Sequence, residues 1–340
     1  MNDLAVSLPA PEQLGFGTYL APVIVSCEHD GQRWSSPVAV ASESARLPIA
    51  SGGLQYGLSV FEGLKAYRNP SGGVHLFRPL DHARRLAASA RRLHLPEIPE
   101  ALFVESCRMA TRANEQWLPP HGRGSHYLRP TILADEEALG LRPAKRHRYT
   151  VTISPSSDPP LKPMRLWAEP EMIRAAPGGL GAAKTGANYA AGLGGLLRAR
   201  ELGYDDVLWL DAREHRVIGE AGTMNLFVQI GSRLLTPRLD GTILAGITRD
   251  SILKIAAEMN IDTEEATIDL ETLANASASG ALKCVFASGT AARIARITEI
   301  GTAAGAIKSG DGDLPQALAA RLKAVQEGTT DHYADWRTSV

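Results

Sequence analysis

The most restrictive feature of the chain is a ten-residue segment near its middle, residues 154–163, that contains four prolines. Proline fixes the backbone φ angle and removes an amide donor, so this segment opposes both a helix and a central strand. Such a composition is typical of a linker. We therefore predict a small N-terminal α/β domain at residues 1–153, an interdomain loop at 154–163 and a large C-terminal domain at 164–340.

The length and the charge of the chain limit its class of function. A chain of 340 residues is long enough for about two domains. Its 36 Lys and Arg residues balance 37 Asp and Glu residues, so no overall positive field would attract a nucleic acid or an anionic membrane. No segment approaches the roughly 20 apolar residues of a transmembrane helix, and the first residues lack a secretory signal. We therefore expect a cytoplasmic protein.

The cysteines and histidines do not indicate a metal site or a disulfide framework. Cys27, Cys107 and Cys284 are odd in number and far apart, so each is expected to be a small buried residue. The nine histidines are scattered and form no zinc-binding motif. No metal ion is expected.

The order of predicted elements favours mixed sheets and helices rather than a nucleotide-binding fold. Strands are predicted by short apolar runs between turn residues, at 22–25, 38–40, 63–68, 74–77, 126–134, 148–154, 206–211, 216–220, 225–230, 233–236, 284–288 and 293–297. The turn residues between the first two runs and between the next two predict β-hairpins. Helices are predicted by apolar residues at helical spacing, at 80–93, 99–118, 249–259, 270–276 and 314–327. The strands after residue 206 form a meander, and no glycine-rich nucleotide-binding motif follows a strand.

A lysine in the second half of the chain is surrounded by small residues. Lys184 lies in the segment Gly178-Gly179-Leu180-Gly181-Ala182-Ala183-Lys184-Thr185-Gly186, ahead of an Ala- and Leu-rich helical run. The small neighbours leave space for a bulky carbonyl cofactor, with which the amine could form a Schiff base. The segment alone is also compatible with a lysine on a surface loop, because lysine is rarely buried.

Three further segments could complete a site for pyridoxal phosphate. Glu220 ends a predicted strand, where a carboxylate could keep the pyridine nitrogen protonated. The segment Gly246-Ile247-Thr248-Arg249 would present helix amides and a hydroxyl to a phosphate, and Ser288-Gly289-Thr290-Ala291-Ala292 could close this cup. Plainer interpretations are a solvated acid at a hairpin tip for Glu220 and a helix N-cap for Thr248.

Several motifs resemble those of the branched-chain amino acid aminotransferases, which are class IV aminotransferases and fold type IV pyridoxal phosphate enzymes. They occur in the family's order from Phe16 onward. The motifs are Tyr56-Gly57-Leu58-Ser59-Val60-Phe61-Glu62-Gly63-Leu64-Lys65-Ala66-Tyr67, Phe77-Arg78-Pro79 with the helix to Arg85, Tyr127-Leu128-Arg129-Pro130, the Lys184, Glu220 and Gly246 segments, and Gly289-Thr290-Ala291. The resemblance implies an α/β fold of the α+β type, with two domains in the D-amino acid aminotransferase-like architecture. It also implies a cofactor in the interdomain cleft, carried by the C-terminal domain.

The resemblance implies roles for individual residues around pyridoxal 5'-phosphate. Lys184 is similar to the lysine that binds the cofactor and later moves a proton between the substrate α-carbon and the cofactor. Glu220 resembles the acid that pairs with the pyridinium nitrogen, and Tyr189 the tyrosine that hydrogen-bonds the ring phenolate oxygen. The remaining implied cofactor contacts, which include the phosphate cup, are Arg85, Thr223, Leu244, Gly246, Ile247, Thr248 and Thr290. Opposite charges would thus anchor opposite ends of one cofactor.

For the substrate, the resemblance implies an apolar pocket made by Phe16, Tyr56, Phe61 and Tyr127. Arg129 resembles the arginine that binds the γ-carboxylate of glutamate, and charge compensation by tyrosines lets the same pocket accept an aliphatic side chain. Without the resemblance, Phe16 and Phe61 would be interpreted as core residues, and Tyr127-Leu128-Arg129 as part of an ordinary strand.

The resemblance further implies an α-carboxylate site and a second subunit. The α-carboxylate site is matched by Thr223, Thr290 and Ala291. Leu139 and Leu141 match a loop that enters the partner subunit's site, so a homodimer is implied.

The implied reaction is a ping-pong transamination of branched-chain amino acid metabolism, in biosynthesis, in breakdown or in a specialised pathway. An L-branched-chain or similar hydrophobic amino acid becomes its 2-oxo acid, and 2-oxoglutarate becomes L-glutamate. The same scaffold carries D-amino acid transaminases, R-selective amine transaminases and aminodeoxychorismate lyases, so other donors stay open. Tyr127-Leu128-Arg129 together with Gly289-Thr290-Ala291 favours the branched-chain pattern. A non-catalytic binding relative is expected to lose Lys184 or Glu220, and both are present.

The sequence departs from the family pattern at three places outside the cofactor site. Ala292 and Ala295 stand where some mammalian relatives carry a redox Cys-x-x-Cys, and Gln55 replaces the usual histidine before Tyr56. The segment 154–163 has no counterpart of the mammalian interdomain tyrosine. These departures bear on thiol regulation and pocket gating rather than on the chemistry.

Overall fold

The structure is a computed structural model that describes residues 8–158 and 162–340. The chain divides into two compact units, the first formed by Met1–Pro160 with Ala324–Val340 and the second by Leu161–Lys323. Each unit has its own β-sheet and its own apolar core.

The predicted strands and helices occur in the predicted order, among further short elements that the sequence patterns did not predict. The helices are α1 (Gly52–Gln55), α2 (Pro79–Arg92), α3 (Glu100–Ala113), α4 (Gly186–Glu201), α5 (Ile247–Glu258), α6 (Leu270–Ala278) and α7 (Leu314–Glu327). The strands are β1 (Val23–His29), β2 (Val38–Ala41), β3 (Ser59–Phe61), β4 (Leu64–Arg68), β5 (Val74–Phe77), β6 (Gly124–Ala134), β7 (His147–Ser157), β8 (Met164–Ala168), β9 (Asp206–Leu210), β10 (Ile218–Ala221), β11 (Met224–Ile230), β12 (Arg233–Pro237), β13 (Thr263–Ala266), β14 (Leu282–Gly289), β15 (Arg293–Thr302), β16 (Gly305–Lys308) and β17 (Arg337–Ser339).

The first unit is an antiparallel sheet in the order β17-β5-β4-β6-β7-β1-β2, with β3 beside β6. The two predicted hairpins, β1 with β2 and β4 with β5, are confirmed. Helix α2 buries Ala83, Leu86 and Ala90 in the core of this unit, which is the apolar stripe that its spacing predicts. Helix α3 ends at Ala113, earlier than predicted, where the Asn114 side chain donates to the Ala110 carbonyl oxygen at 2.9 Å.

The second unit is a sheet in the order β10-β9-β8-β15-β14-β11-β12-β13, with β16 beside β15. Because β10 also pairs with β11, the strands from β10 round to β11 close on themselves. The predicted meander is confirmed, since β9 to β12 are consecutive antiparallel neighbours. Strands β8 and β9 are parallel, and α4 provides the crossover that parallel strands require.

The expected domain bounds need correction at two places. Strand β7 continues through Ser157, so the first residues of the predicted 154–163 loop are strand. Pro155 is tolerated there because β1 pairs only as far as Val151, and at Pro155 the strand partner is β6 alone. The C-terminal residues also belong to the first unit, because β17 pairs with β5. The remainder of the expected loop falls partly on residues 159–161, outside the described residues.

The three cysteines are buried and unbridged, as predicted. Burial raises the pKa of the Cys27 and Cys107 thiols and raises that of Cys284 to about 11, so these side chains are not reactive thiolates near neutral pH. Within residues 8–158 and 162–340, no helix is long and apolar enough to cross a membrane. In the same residues, no three His, Cys, Asp or Glu side chains are grouped so that they could hold a metal ion.

Candidate active site

The second unit contains a cavity of about 350 Å³. Its lining includes five of the predicted cofactor residues, namely Lys184, Tyr189, Glu220, Thr223 and Leu244. These residues come from the loop before α4, from α4 itself, from β10 with its following turn, and from the loop before α5. The fold therefore brings together residues that lie far apart in the sequence.

Lys184 lies just before α4 and is half-buried at the cavity wall. Its Nζ donates to the Tyr189 hydroxyl at 2.7 Å. The preceding loop is fastened by Asn188, whose Nδ2 donates to the carbonyl oxygens of Leu180 at 2.8 Å and Ala183 at 2.9 Å. The amine is thus held in the cavity, although the sequence also allowed a surface loop.

The small residues before Lys184 serve packing as well as space. A Cβ atom at Gly181 would collide with the backbone of Thr242. Glycine therefore allows the lysine loop to lie directly against the loop that precedes α5.

Glu220 is buried on β10, with 4% of its surface exposed. One carboxylate oxygen lies 2.6 Å from Arg174 Nη2, and the other accepts from Asn225 Nδ2 at 2.9 Å. Asn225 reaches Glu220 because the two residues are register partners on β10 and β11. The interpretation of Glu220 as a solvated acid at a hairpin tip is wrong.

Arg174 is a site residue that sequence reasoning missed. It lines the cavity, and besides Glu220 its guanidinium contacts the carbonyl oxygens of Thr242 and Gly181. The arginine lies in a segment without a recognisable motif, and its partners Glu220 and Thr242 are distant in sequence. No local signal could have identified it.

Asp206 at the start of β9 is a second missed residue of the cavity lining. Burial raises the pKa of its carboxyl group, against the hydrogen bond from the Val207 amide. A side chain at Gly222 would collide with this carboxylate, so the glycine makes room for it.

The predicted phosphate-binding segment forms the N-terminus of α5. The N-cap residue is Gly246, and Thr248 lies inside the first turn and is buried, so the interpretation of Thr248 as the N-cap is wrong. First-turn amides lack partners within their own helix and favour an anion. Asn225 Nδ2 also donates to the Leu244 carbonyl oxygen at 3.0 Å, which ties this segment to the Glu220 strand pair.

The Gly289-Thr290-Ala291 segment forms the turn between β14 and β15. Asn225 on β11 is the register partner of Ser288 on β14. Since Asn225 is also the partner of Glu220, the segment begins one strand away from the Glu220 pair.

In the first unit, Arg129 lies among aromatic side chains. Its guanidinium is 4.5 Å from the centre of the Phe61 ring, and its Nη2 donates to the Tyr127 hydroxyl at 3.0 Å. Phe16 contacts the Tyr127 ring edge-on at 4.7 Å between centroids and is 47% exposed, so it is not a core residue. A cation flanked by rings and a phenol is suited to an anionic ligand, while the rings favour apolar ones.

Tyr56 and the leucines predicted to reach a partner subunit share one region of the first unit. The Tyr56 hydroxyl accepts a hydrogen bond from the Gly140 amide at 3.0 Å. Leu139 and Leu141 flank this glycine and are 71% and 76% exposed. These two leucines are therefore apolar side chains with little cover from the described residues.

Arg85 lies on α2 in the first unit and is paired with a buried acid, Glu62. Its Nε and Nη2 donate to the two Glu62 carboxylate oxygens at 2.7 and 2.9 Å, and His82 Nδ1 lies 2.6 Å from the same group. Burial alone would raise the pKa of Glu62, but Arg85 and His82 hold it well below its ordinary value. The sequence motif that contains Glu62 does not reveal this support for Arg85.

The second-unit residues fit pyridoxal 5'-phosphate. The cavity offers a primary amine for a carbonyl carbon, a buried carboxylate for a pyridinium nitrogen and a phenol for a ring oxygen, from Lys184, Glu220 and Tyr189. The carboxylate supplies the negative charge that the pyridinium nitrogen of such a cofactor requires.

Comparison with known proteins shows the family of the chain. The family model for class IV amino-transferases matches residues 59–300. A branched-chain-amino-acid aminotransferase of Mycolicibacterium smegmatis is 40% identical over 334 residues, which cover 95% of this chain and 91% of that protein.

Solved structures with the same fold include proteins bound to small molecules. The branched-chain aminotransferase of the archaeon Thermoproteus uzoniensis with norvaline has a TM-score of 0.78 and 26% identity, covering 93% of this chain and 99% of its own. The T.th. branched-chain amino acid aminotransferase with pyridoxamine 5'-phosphate has a TM-score of 0.78 and 25% identity, covering 94% and 98%. The likeness extends over nearly the full length of each chain.

Proposed function

The chain belongs to the class IV aminotransferase family, and from this membership we propose that it transfers the amino group of an L-branched-chain amino acid to 2-oxoglutarate. The cofactor is pyridoxal 5'-phosphate, and the products are a 2-oxo acid and L-glutamate. The predicted family and the fold type IV architecture are confirmed by full-length relatives and by the solved structures. The observation that carries the proposal is the Lys184 amine, held 2.7 Å from the Tyr189 hydroxyl in the cavity that also contains the buried Glu220.

The chemistry is divided between the cofactor and the chain. Bound pyridoxal 5'-phosphate supplies a carbonyl for the amino group and a ring that accepts the electron pair left when the substrate α-carbon loses its proton. Lys184 would hold the cofactor through its amine, and the freed amine would be the base that takes the proton from the substrate α-carbon and delivers it to the carbonyl carbon of the cofactor. Tyr189 orients the lysine amine through their hydrogen bond.

Glu220 and the N-terminus of α5 fix the two ends of the site. The Glu220 carboxylate holds a proton on the ring nitrogen, which the ring needs in order to accept electrons. The first-turn amides at Ile247 and Thr248, with Thr290 and Arg85, are proposed to bind the phosphate. Thr223 and Leu244, which line the same cavity, are proposed to contact the ring and the substrate.

The substrate side of the proposal uses Arg129 and the rings around it. The ring faces of Phe61 and Tyr127 suit an aliphatic side chain, and the Arg129 guanidinium suits the γ-carboxylate of glutamate. The Tyr127 hydroxyl accepts from Arg129, so the cation keeps a partner when an apolar substrate is bound. This dual character supports the use of both substrate types.

We further propose that the chain forms a homodimer. Helix α4 is largely apolar, and Leu193 and Leu197 on it are 53% and 48% exposed. Leu139 and Leu141 add two more apolar side chains with little cover. Sedimentation equilibrium tests this proposal, for which a monomer at micromolar concentration is the contrary result.

The experiment that tests the proposed function is an amino-donor panel with 2-oxoglutarate as acceptor. We expect L-leucine, L-isoleucine and L-valine to give glutamate, with D-alanine and primary amines as inactive donors. Lys184→Ala is the matched control and is expected to lose turnover. Transamination of D-alanine without turnover of L-leucine would contradict the branched-chain assignment, and a wild-type protein that binds no pyridoxal 5'-phosphate would contradict the whole proposal.

A further inference from the structure

We propose that Arg174 is a positioning residue that keeps Glu220 ionised and aimed in the apoprotein, before the cofactor binds. The inference rests on the proposed function, because it concerns the acid assigned to the ring nitrogen. It adds a residue outside the family motifs on which that assignment was based.

Burial makes a counter-charge necessary for Glu220. The Glu220 side chain is 5% exposed and that of Arg174 is 12% exposed, and their charged atoms are 2.6 Å apart. A buried carboxylate without a cationic partner takes up a proton, because desolvation disfavours its charged form. A neutral acid at this position could not attract a pyridinium.

Arg174 also sets the direction of the carboxylate. It binds the Oε2 atom of Glu220, while Asn225 Nδ2 binds the Oε1 atom at 2.9 Å. Donors on both oxygens restrict rotation of the carboxylate plane. A single donor would leave the carboxylate free to rotate.

The anchoring of Arg174 connects Glu220 to the lysine loop and to the loop before α5. Its Nη2 donates to the Thr242 carbonyl oxygen and lies 3.4 Å from that of Gly181, three residues before Lys184. Arg174 therefore connects the Glu220 carboxylate to the same backbone segments that carry Lys184 and Leu244. Displacement of the guanidinium would loosen the acid relative to both.

The first test measures proton release when pyridoxal 5'-phosphate binds to apoprotein, by calorimetry in buffers of different ionisation enthalpy at about pH 7.5. In Arg174→Gln, Glu220 starts protonated and must lose its proton to pair with the ring nitrogen. We expect this variant to release about one proton more than wild type and to bind the cofactor at least roughly tenfold more weakly. Arg174→Lys, which retains a cation, is expected to release the same number of protons as wild type.

The outcomes separate positioning from a merely structural role. Lower thermal stability of Arg174→Gln with unchanged proton release would overturn the inference. A wild-type protein that binds no cofactor would instead contradict the proposed function, so the two failures are distinguishable.

A second measurement needs neither the Arg174→Gln variant nor the cofactor. The infrared difference between wild-type and Glu220→Gln apoprotein isolates the stretching band of the Glu220 group. We expect the band of an ionised carboxylate at neutral pH. The carbonyl band of a protonated acid in wild type would overturn the inference.

Discussion

Each unit contains a buried glutamate paired with an arginine. In one pair the arginine is predicted to bind the cofactor, and in the other pair the glutamate is. In the first unit Glu62 is fully buried and its partner Arg85 is the predicted phosphate ligand. In the second unit the acid, Glu220, is the predicted cofactor ligand and Arg174 supports it. In each pair, the ion that is predicted to meet the cofactor is held by a partner of opposite charge to which no ligand is assigned.

The supports also differ in kind. Glu62 receives a second contact from His82, a buried histidine whose pKa burial lowers against the opposing effect of Glu62. Glu220 receives its second contact from the amide of Asn225. Both acids are therefore held on two sides, with an arginine on one side of each.

The largest expected effect separates the two acids by function. Glu220→Gln removes the charge that holds the ring-nitrogen proton, and we expect kcat to fall by roughly 10³-fold. Glu62→Gln is the matched control, because it removes a charge of the same type without changing the group proposed to meet the ring. Steady-state kinetics at saturating cofactor should give Glu62→Gln a kcat within about tenfold of wild type. Equal losses of kcat for the two variants would contradict the proposal that Glu220, and not Glu62, meets the cofactor ring.

For stability we expect the opposite order, with the larger loss in Glu62→Gln. Glu62→Gln leaves the Arg85 guanidinium without its acid, and we expect the free energy of unfolding of the apoprotein to fall by about 3–5 kcal/mol. Cofactor should recover part of this loss if its phosphate binds Arg85. Urea titrations with and without pyridoxal 5'-phosphate measure both quantities. A destabilisation that saturating cofactor leaves unchanged would count against Arg85 as a phosphate ligand.

Arg129 extends the comparison to an arginine that has no carboxylate partner among the residues the structure describes. Its contacts are a phenol and an aromatic face, so its charge is available to a ligand. For Arg129→Ala we expect kcat/KM for glutamate to fall by roughly 10²-fold and that for leucine by less than about tenfold. Single-turnover half-reactions with each amino acid make this comparison. Equal losses would refute the assigned specificity role.

The smallest expected effect concerns pH and the first unit. Burial lowers the pKa of His126 to about 3 and of His147 to about 4, below the ordinary histidine value of about 6.5. Between these folded-state pKa values and the ordinary value of about 6.5, the unfolded chain therefore binds more protons than the folded chain. Stability contributed by the neutral histidines is complete above about pH 6.5 and is lost as the pH falls toward about 4.

His147→Gln should make this pH dependence shallower, by on the order of 1 kcal/mol between about pH 6.5 and about pH 4. The urea midpoint measured across that range provides the check. A variant with the same slope as wild type would show that His147 does not titrate as described.

Local patterns predicted the elements well, because periodicity and turn residues act within a few positions. The stripe Ala83, Leu86 and Ala90 predicted α2, and the turn residues predicted the β4–β5 hairpin. The pairing of β17 with β5 could not be predicted, since it joins residues from opposite ends of the chain. The strand at Pro155 could not be predicted either. Whether a proline destabilises a strand depends on whether a second neighbouring strand needs its missing amide donor, and at Pro155 the strand partner is β6.

Within the candidate site, the sequence revealed the residues that carry motifs and not those that support them. Lys184 and Tyr189 are five residues apart in the sequence, and a hydrogen bond joins their side chains. Arg174 and Glu62 act only through tertiary pairing with distant partners, which no local pattern records. The sequence indicates only that Gly181 leaves space, whereas the structure shows that it also permits a close backbone contact with Thr242.

The most direct test of the account is to identify the side chain that carries the cofactor. Reduction of the cofactor-loaded protein with borohydride, followed by peptide mass spectrometry, fixes the cofactor to the amine that binds it. We predict a single pyridoxyl phosphate adduct on Lys184. An adduct on another lysine, or no adduct in a protein that converts L-leucine and 2-oxoglutarate, would contradict the assignment of this cavity as the active site.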